Sequence, residues 1–230
     1  MEILNKINKN FKRVDNKILE QFENIPVANI DDVMGRMCAI SSEIKAVNEG
    51  HVVGNAFTIK VGAGDNLFFH AALDLVKPGD IVLIDAGGYE NRAITGEIMI
   101  SYIKKLGAKG IVIDGAIRDV SSLSKLENFI VYAKSHTPNG PFKNGPGYIN
   151  FPISIGGILV SPGDIVVADQ DGIVVIKPSE AKDVLKKAIK VKESEDNILQ
   201  GIEKDSDYSR PWLQDKLAEI GVEYIEEKKK

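Results

Sequence analysis

Between residues 52 and 115 the chain alternates short, almost wholly apolar runs with segments of helical period. The runs "VVGNAFTIKVG" (52–62), "DIVLIDAG" (80–87) and "GIVIDG" (110–115) are separated by "DNLFFHAALDLV" (65–76) and "GEIMISYIKKLG" (96–107). A strand that is apolar on both faces must be covered on both faces, and a helix between two strands returns the chain so that the second lies parallel to the first. The alternation predicts β-α-β units around a largely parallel, doubly covered sheet.

After Leu126 the pattern changes. "FIVYAK", "PISIGGILV", "DIVVADQ" and "GIVVIK" follow one another with Gly, Pro and Asp turns and no helices between them, which predicts antiparallel or mixed pairing. In "ADQDGIVV", Asp169, Asp171 and Gly172 suit a tight turn. The stretch 135–150, "SHTPNGPFKNGPGYIN", is long for a loop in a compact domain, and such loops usually carry binding or an interface. Upstream, Ile3, Leu4, Ile7, Phe11, Val14, Ile18, Leu19 and Phe22 recur at three- and four-residue steps and predict one amphipathic helix over 3–24. A shorter helix is expected at "NIDDVMGRM", with Asn29 as N-cap and Asp31 and Asp32 in its first turn. The chain closes with a helix from about Ser179 to Gly201, another around Trp212–Ile220, and a charged "EEKKK" tail. The expected division is an N-terminal helix (1–26), an α/β domain (27–200) and a helical extension with its tail (201–230).

The 230 residues carry a net charge of -4, which provides no basic field for nucleic acid or anionic membranes. No apolar run approaches the roughly 20 residues that cross a bilayer. With one cysteine, Cys38, and charges and amides where a secretory signal needs apolar residues, a cytoplasmic protein is expected.

Familiar chemistry can be tested against the residues. "GAGDNL" (62–67) places Leu67 where a dinucleotide fingerprint needs its third glycine. Walker and G-x-S-x-G motifs are missing, and His51, His70, His136 and Cys38 are too scattered for structural zinc. The strongest candidate joins two places. At "GEIM" the amides of Glu97, Ile98 and Met99 lie in a first helical turn without intrahelical partners, an anion site. After strand 110–115, "AIRDV" delivers Arg118 and Asp119 at the carboxyl end of a strand, where open α/β sheets bind ligands. On an extended chain these neighbours point to opposite sides, which argues against their pairing with each other. A guanidinium fork suits a substrate carboxylate, and one protein carboxylate suits Mg²⁺, which takes its other ligands from water and substrate. The set fits a metal-chelated 2-oxo acid; a structural ion pair is the plainer alternative.

The stretch "GDIVLIDAGGYENRAITGEIMISYIKKLGAKGIVIDGAIRDV", with "PGDIVVADQDGIVVIKP" downstream, resembles the RraA-like family over about residues 27–200. That family contains 4-hydroxy-4-methyl-2-oxoglutarate aldolases with oxaloacetate decarboxylase activity, and regulators that bind ribonuclease E. The resemblance implies a swivelling β/β/α-type domain with a mixed central sheet flanked by helices, assembled as a trimer or a dimer of trimers. It also implies a divalent-metal-dependent lyase that releases pyruvate, with a non-catalytic regulator of a ribonuclease as the alternative. The family's aldolase motif is an acidic residue, twenty residues, then Arg-Asp, and twenty residues separate Glu97 from Arg118. By position, Arg118 would grip the pyruvyl carboxylate, Asp119 would bind Mg²⁺ (or Mn²⁺) directly, Ile98 and Met99 would supply amides, and Glu97 would act through water. The pattern usually has Asp where this chain has Glu97, whose extra methylene moves the carboxylate by about an ångström. Asn66 and His70 match cleft-lining positions of the family. A glutamate from an adjacent subunit's C-terminal helix corresponds to Glu193 or Glu195, with Glu193 preferred.

Overall fold

The computed structural model describes residues 3–205 and 208–225. Its elements, in chain order, are α1 (Asn16–Leu19), α2 (Val27–Val33), β1 (Lys45–Ala46), β2 (Val52–Val61), α3 (Leu67–Ala72), β3 (Asp80–Thr95), α4 (Glu97–Lys105), β4 (Gly110–Ile117), α5 (Val120–Leu123), β5 (Ile130–His136), β6 (Gly147–Ile149), β7 (Ile153–Ile155), β8 (Ile158–Val160), β9 (Ile165–Ala168), β10 (Ile173–Ile176), α6 (Ala181–Asp205) and α7 (Leu213–Glu219). Short 3₁₀ turns follow α1 and α3. Contacts divide the chain into Met1–Lys190 and Val191–Lys230. The second unit holds the end of α6 and α7, whose Lys216–Glu219 pair spans 2.5 Å. The "EEKKK" tail, 226–230, lies outside the described residues. Among those residues no helix is long and apolar enough to cross a membrane.

The first unit is a mixed eight-stranded sheet in the order β1-β5-β4-β3-β2-β9-β10, with β6 also pairing β2. The strands β2, β3, β4 and β5 run parallel, as the β-α-β alternation requires, while β1, β6, β9 and β10 pair antiparallel to their neighbours. Asp169 N donates to Gly172 O at the β9–β10 turn, as "ADQDG" predicts. Successive residues of the central strands feed different cores. Val82 and Ile84 join Phe69, Ile100 and Ile103, whereas Ile81 and Leu83 join Tyr132, Ile153 and Ile155 on the other face. Each fully buried side chain of this size contributes roughly 1.5–3 kcal/mol.

Three expectations need correction. The 3–24 helix forms only as α1 and its 3₁₀ turn. Residues 5–8 instead pair with β6, where Asn5 N donates to Gly147 O at 2.8 Å and Asn8 N to Ile149 O at 3.0 Å. Asp15 accepts from Lys17 N and so starts α1 late. The periodicity was real, but strand-edge hydrogen bonds outcompete a helix that includes four asparagines among its first sixteen residues. Helix α2 is preceded by Pro26, not capped by Asn29, because a proline already fixes the backbone for helix entry. Strand 80–87 does not end there. Gly87 and Gly88 take positive φ and absorb register shifts, so that β3 bulges and runs on to Thr95 beside β4.

The arm is fastened by Arg13, whose Nε and Nη2 donate to the two Asp80 oxygens at 2.7 and 2.8 Å. Asp80 is 0% exposed. Arg13→Ala would strand that carboxylate, and an uncompensated buried charge costs about 3–5 kcal/mol. The expected outcome is an unfolding free energy, measured by urea titration, lowered by that amount, with Arg13→Lys recovering only part of it.

Candidate active site

Strand β3 ends at Thr95, Gly96 is extended, and α4 begins at Glu97. Its neighbour β4 ends at Ile117, and Arg118 N donates to Thr95 O at 3.0 Å, which holds the two strand ends side by side. Asp119 then adopts φ 63°, ψ 32°, a left-handed conformation that costs a non-glycine residue on the order of 1 kcal/mol. The turn sends its carboxylate back to α4, where Oδ2 accepts from Glu97 N at 3.0 Å. The dipole at a helix N-terminus favours a carboxylate there.

This turn overturns the expectation that Arg118 and Asp119 face apart. They would do so on an extended chain, but the left-handed residue brings Asp119 Oδ2 within 3.7 Å of Arg118 Nε. The pair is loose and half-exposed, so its own stabilisation is small. Both contacts fall on Oδ2, which leaves Oδ1 to a ligand. Close approach here depends on Gly96. A Cβ at that position would collide with Asp119 Oδ2 and lie 2.8 Å from Arg118 Cγ.

Arg118 and Asp119 separate two adjoining cavities. The inner one, about 160 Å³, is also lined by Asn66, His70, Ile98, Met99 and Lys143. The outer one, about 530 Å³, is also lined by Glu97, Ser122 and His136. Six of the residues expected from sequence, Arg118, Asp119, Ile98, Met99, Asn66 and His70, therefore meet around one cavity, and Glu97 lies across the partition. Glu193 stands exposed on α6 within the second unit. The amides of Ile98 and Met99 precede the first intrahelical donor, Ile100 N, which reaches Gly96 O, and are the donors left at the start of α4 once Asp119 has taken Glu97 N.

Asn66 is 3% exposed. Its Nδ2 donates to Ile94 O at 3.0 Å and meets Met99 Sδ at 3.6 Å, while its Oδ1 accepts from no group among the described residues. A buried acceptor without a donor is costly, which marks this wall as built for more than packing. His70 has its pKa pushed below the ordinary 6.5 by burial and, second, by the Lys143 ammonium. It is therefore a neutral imidazole at pH 7.

Lys143 and His136 were missed in the sequence. The loop that carries Lys143 was singled out, but a glycine- and proline-rich stretch does not say which of its side chains turns inward. That is decided by distant contacts. Phe142 N donates to Gly64 O at 2.8 Å, Asn66 N donates to Phe142 O at 3.0 Å, and Arg92 lies 3.9 Å over the Phe142 ring while donating to Gly140 O.

No cluster of three or more His, Cys, Asp or Glu side chains suited to a metal occurs among the described residues. The donors that are present fit a hard cation of another kind. One open carboxylate oxygen on Asp119, a second carboxylate at Glu97 and room for water match Mg²⁺ or Mn²⁺, which complete their shells from solvent and substrate.

The family profile described as "RraA-like: Aldolase/RraA" matches residues 27–175. The chain belongs to the RraA-like family. A Halalkalibacterium halodurans protein named "Putative 4-hydroxy-4-methyl-2-oxoglutarate aldolase" is 42% identical over 183 residues, covering 79% of this chain and 86% of that one. A similarly named protein of Ectopseudomonas mendocina is 34% identical over 53% of this chain and 74% of its own length. Among solved structures, Streptomyces coelicolor RraAS2, titled an unusual member of the RNase ES inhibitor RraA family, superposes with TM-score 0.73 at 27% identity, covering 81% of this chain and 98% of that one. The RNA-processing inhibitor RraA from "Thermus thermophilis" gives 0.60 at 25% identity over 66% and 93%. The RraA-like fold described above, a mixed sheet with helices, matches these neighbours.

Two outcomes follow from the geometry of this RraA-like site. Gly96→Ala should force Asp119 off the α4 terminus and lower stability by about 1–3 kcal/mol, the usual cost of overpacking, in a thermal melt. Because the folded pKa of His70 lies below 6.5, the unfolded chain takes the proton first, so stability falls as pH drops below that value and levels off below the folded pKa. Lys143→Gln should raise the His70 pKa towards 6.5 in an NMR titration of the imidazole.

Proposed function

We propose that this RraA-like protein is a divalent-metal-dependent lyase that cleaves a C–C bond of a 2-oxo acid and releases pyruvate. The observation that carries the reading is that Arg118, Asp119, Ile98 and Met99 line one small cavity, with the Asp119 carboxylate bonded to the start of α4. The names of the relatives point to the same substrate class, 4-hydroxy-4-methyl-2-oxoglutarate, and oxaloacetate presents the same pyruvyl half.

In this reading Arg118 takes the pyruvyl carboxylate through its planar fork, and the α4 amides turn their donors towards the same half. Lys143, which also lines the inner cavity, is available to receive a second carboxylate, which both substrates carry. Asp119 through Oδ1, and Glu97 through water, would hold Mg²⁺ or Mn²⁺. The ion would supply positive charge for the electron pair that arrives on the 2-oxo oxygen as the bond breaks. For a 4-hydroxy-2-oxo acid the hydroxyl loses its proton, the C3–C4 bond breaks, C4 becomes a carbonyl and C3 is reprotonated. Glu97, facing the outer cavity, is the carboxylate available to relay the hydroxyl proton through water. Oxaloacetate loses CO₂ and needs no base for a hydroxyl, so it is the less demanding substrate for a chain with Glu at position 97.

Assembly as a homotrimer or a dimer of trimers, with Glu193 of one copy serving the site of the next through water, belongs to the same proposal. A second reading, an oligomeric regulator acting on a ribonuclease, draws on the likeness to the two RraA structures. One assay separates them. With oxaloacetate and Mg²⁺ the protein should release pyruvate well above the metal-only rate, and Arg118→Ala and Asp119→Ala should each lower that release at least about a hundredfold. Turnover no faster than the metal alone would leave the regulator reading.

A further inference from the structure

Asp65 is a carboxylate only 3% exposed, one residue before Asn66 and outside the inner cavity's lining. Among the described residues it has no lysine or arginine within ion-pair distance. Its oxygens are spent on two backbone amides, one two residues on and the other 79 residues away. Oδ1 accepts from Leu67 N at 2.9 Å, at the entry to α3, and Oδ2 accepts from Asn144 N at 2.5 Å, in the 137–146 loop. Between these ends the loop is already laced to residues 64–66 through Phe142, which donates to Gly64 O and accepts from Asn66 N. Lys143 is the residue caught in between, held through Phe142 on one side and through Asn144 on the other.

We propose that Asp65 is a positioning residue that fixes where Lys143 presents its ammonium group, and through Lys143 selects 2-oxo acids that carry a second carboxylate. The inference rests on the substrate reading above. Only an ionised carboxylate satisfies both amides, since each N–H needs an acceptor of its own. An asparagine offers one acceptor and sets an NH₂ group against the other N–H, two donors facing each other. Asp65→Asn therefore releases one end of the clamp with almost no change of volume.

The test uses the full-length protein with Mg²⁺ and two probes, 2-oxoglutarate with two carboxylates and pyruvate with one, their affinities measured by calorimetry. Asp65→Asn and Lys143→Gln should each weaken 2-oxoglutarate about tenfold and pyruvate less than twofold, and the double variant should be no weaker than Lys143→Gln alone, the non-additivity of residues acting through one contact. In Asp65→Asn the His70 imidazole should also titrate higher, as the Lys143 charge moves away. An equal loss for both probes, additive losses, or an unmoved His70 would show that Asp65 only stabilises the α3 entry. Should Asp65→Asn fail to fold, Lys143→Gln decides: undiminished 2-oxoglutarate affinity overturns the proposal, as does a wild-type protein that binds no 2-oxoglutarate. Binding with the expected pattern but without pyruvate release from oxaloacetate would sink the lyase reading and leave the positioning role standing.

Discussion

The parallel pairing of β3 with β4 is the constraint on which the site depends. Because the two strands run the same way and end together, the start of α4 and the Arg118-Asp119 pair emerge at one edge of the sheet, held by the bond from Arg118 N to Thr95 O. Everything specific to the site is then a short-range adjustment. A left-handed Asp119 turns its carboxylate to the helix end, and a glycine at position 96 lets it come close. Had the strands paired antiparallel, their carboxyl ends would lie at opposite edges of the sheet and no such cleft would form.

How much of this could be read from the residues depended on the range of the interactions involved. The β-α-β alternation was legible because both periods are local, and the cleft at the carboxyl end follows from the topology alone. Four of the cavity's lining residues, Ile98, Met99, Arg118 and Asp119, were likewise reachable from two motifs, and Asn66 and His70 from the family resemblance. The orientation of Arg118 and Asp119 was not, because one left-handed residue cancels the alternation of an extended chain. Lys143 was not, because its place depends on a buried carboxylate and backbone bonds about eighty positions away in sequence. The N-terminal helix was misread for a related reason: the apolar spacing of residues 3–22 fits a helix, and only the presence of a free β6 edge and of Asp80 decides otherwise.

The partition between the two cavities also gives the departures of this chain a physical meaning. Asn66, His70 and Lys143 line the inner cavity, whereas Glu97 lines the outer one with His136 and the Ser121 and Ser122 side of α5. A longer side chain at position 97 therefore changes the lining of the outer cavity and leaves that of the inner one unchanged. Binding and chemistry can drift apart within such a site, which is one way a single fold could serve both lyases and regulators.

The arm along β6 has a further consequence. An edge strand left bare is a template on which another chain can add itself, and proteins cover or blunt such edges to stay dispersed. Residues 5–8 occupy that edge with main-chain bonds of their own, and Arg13 pins the cover in place. The segment outside the family-matched region thus acts as a built-in edge guard: losing it would matter first to how these molecules behave in each other's company.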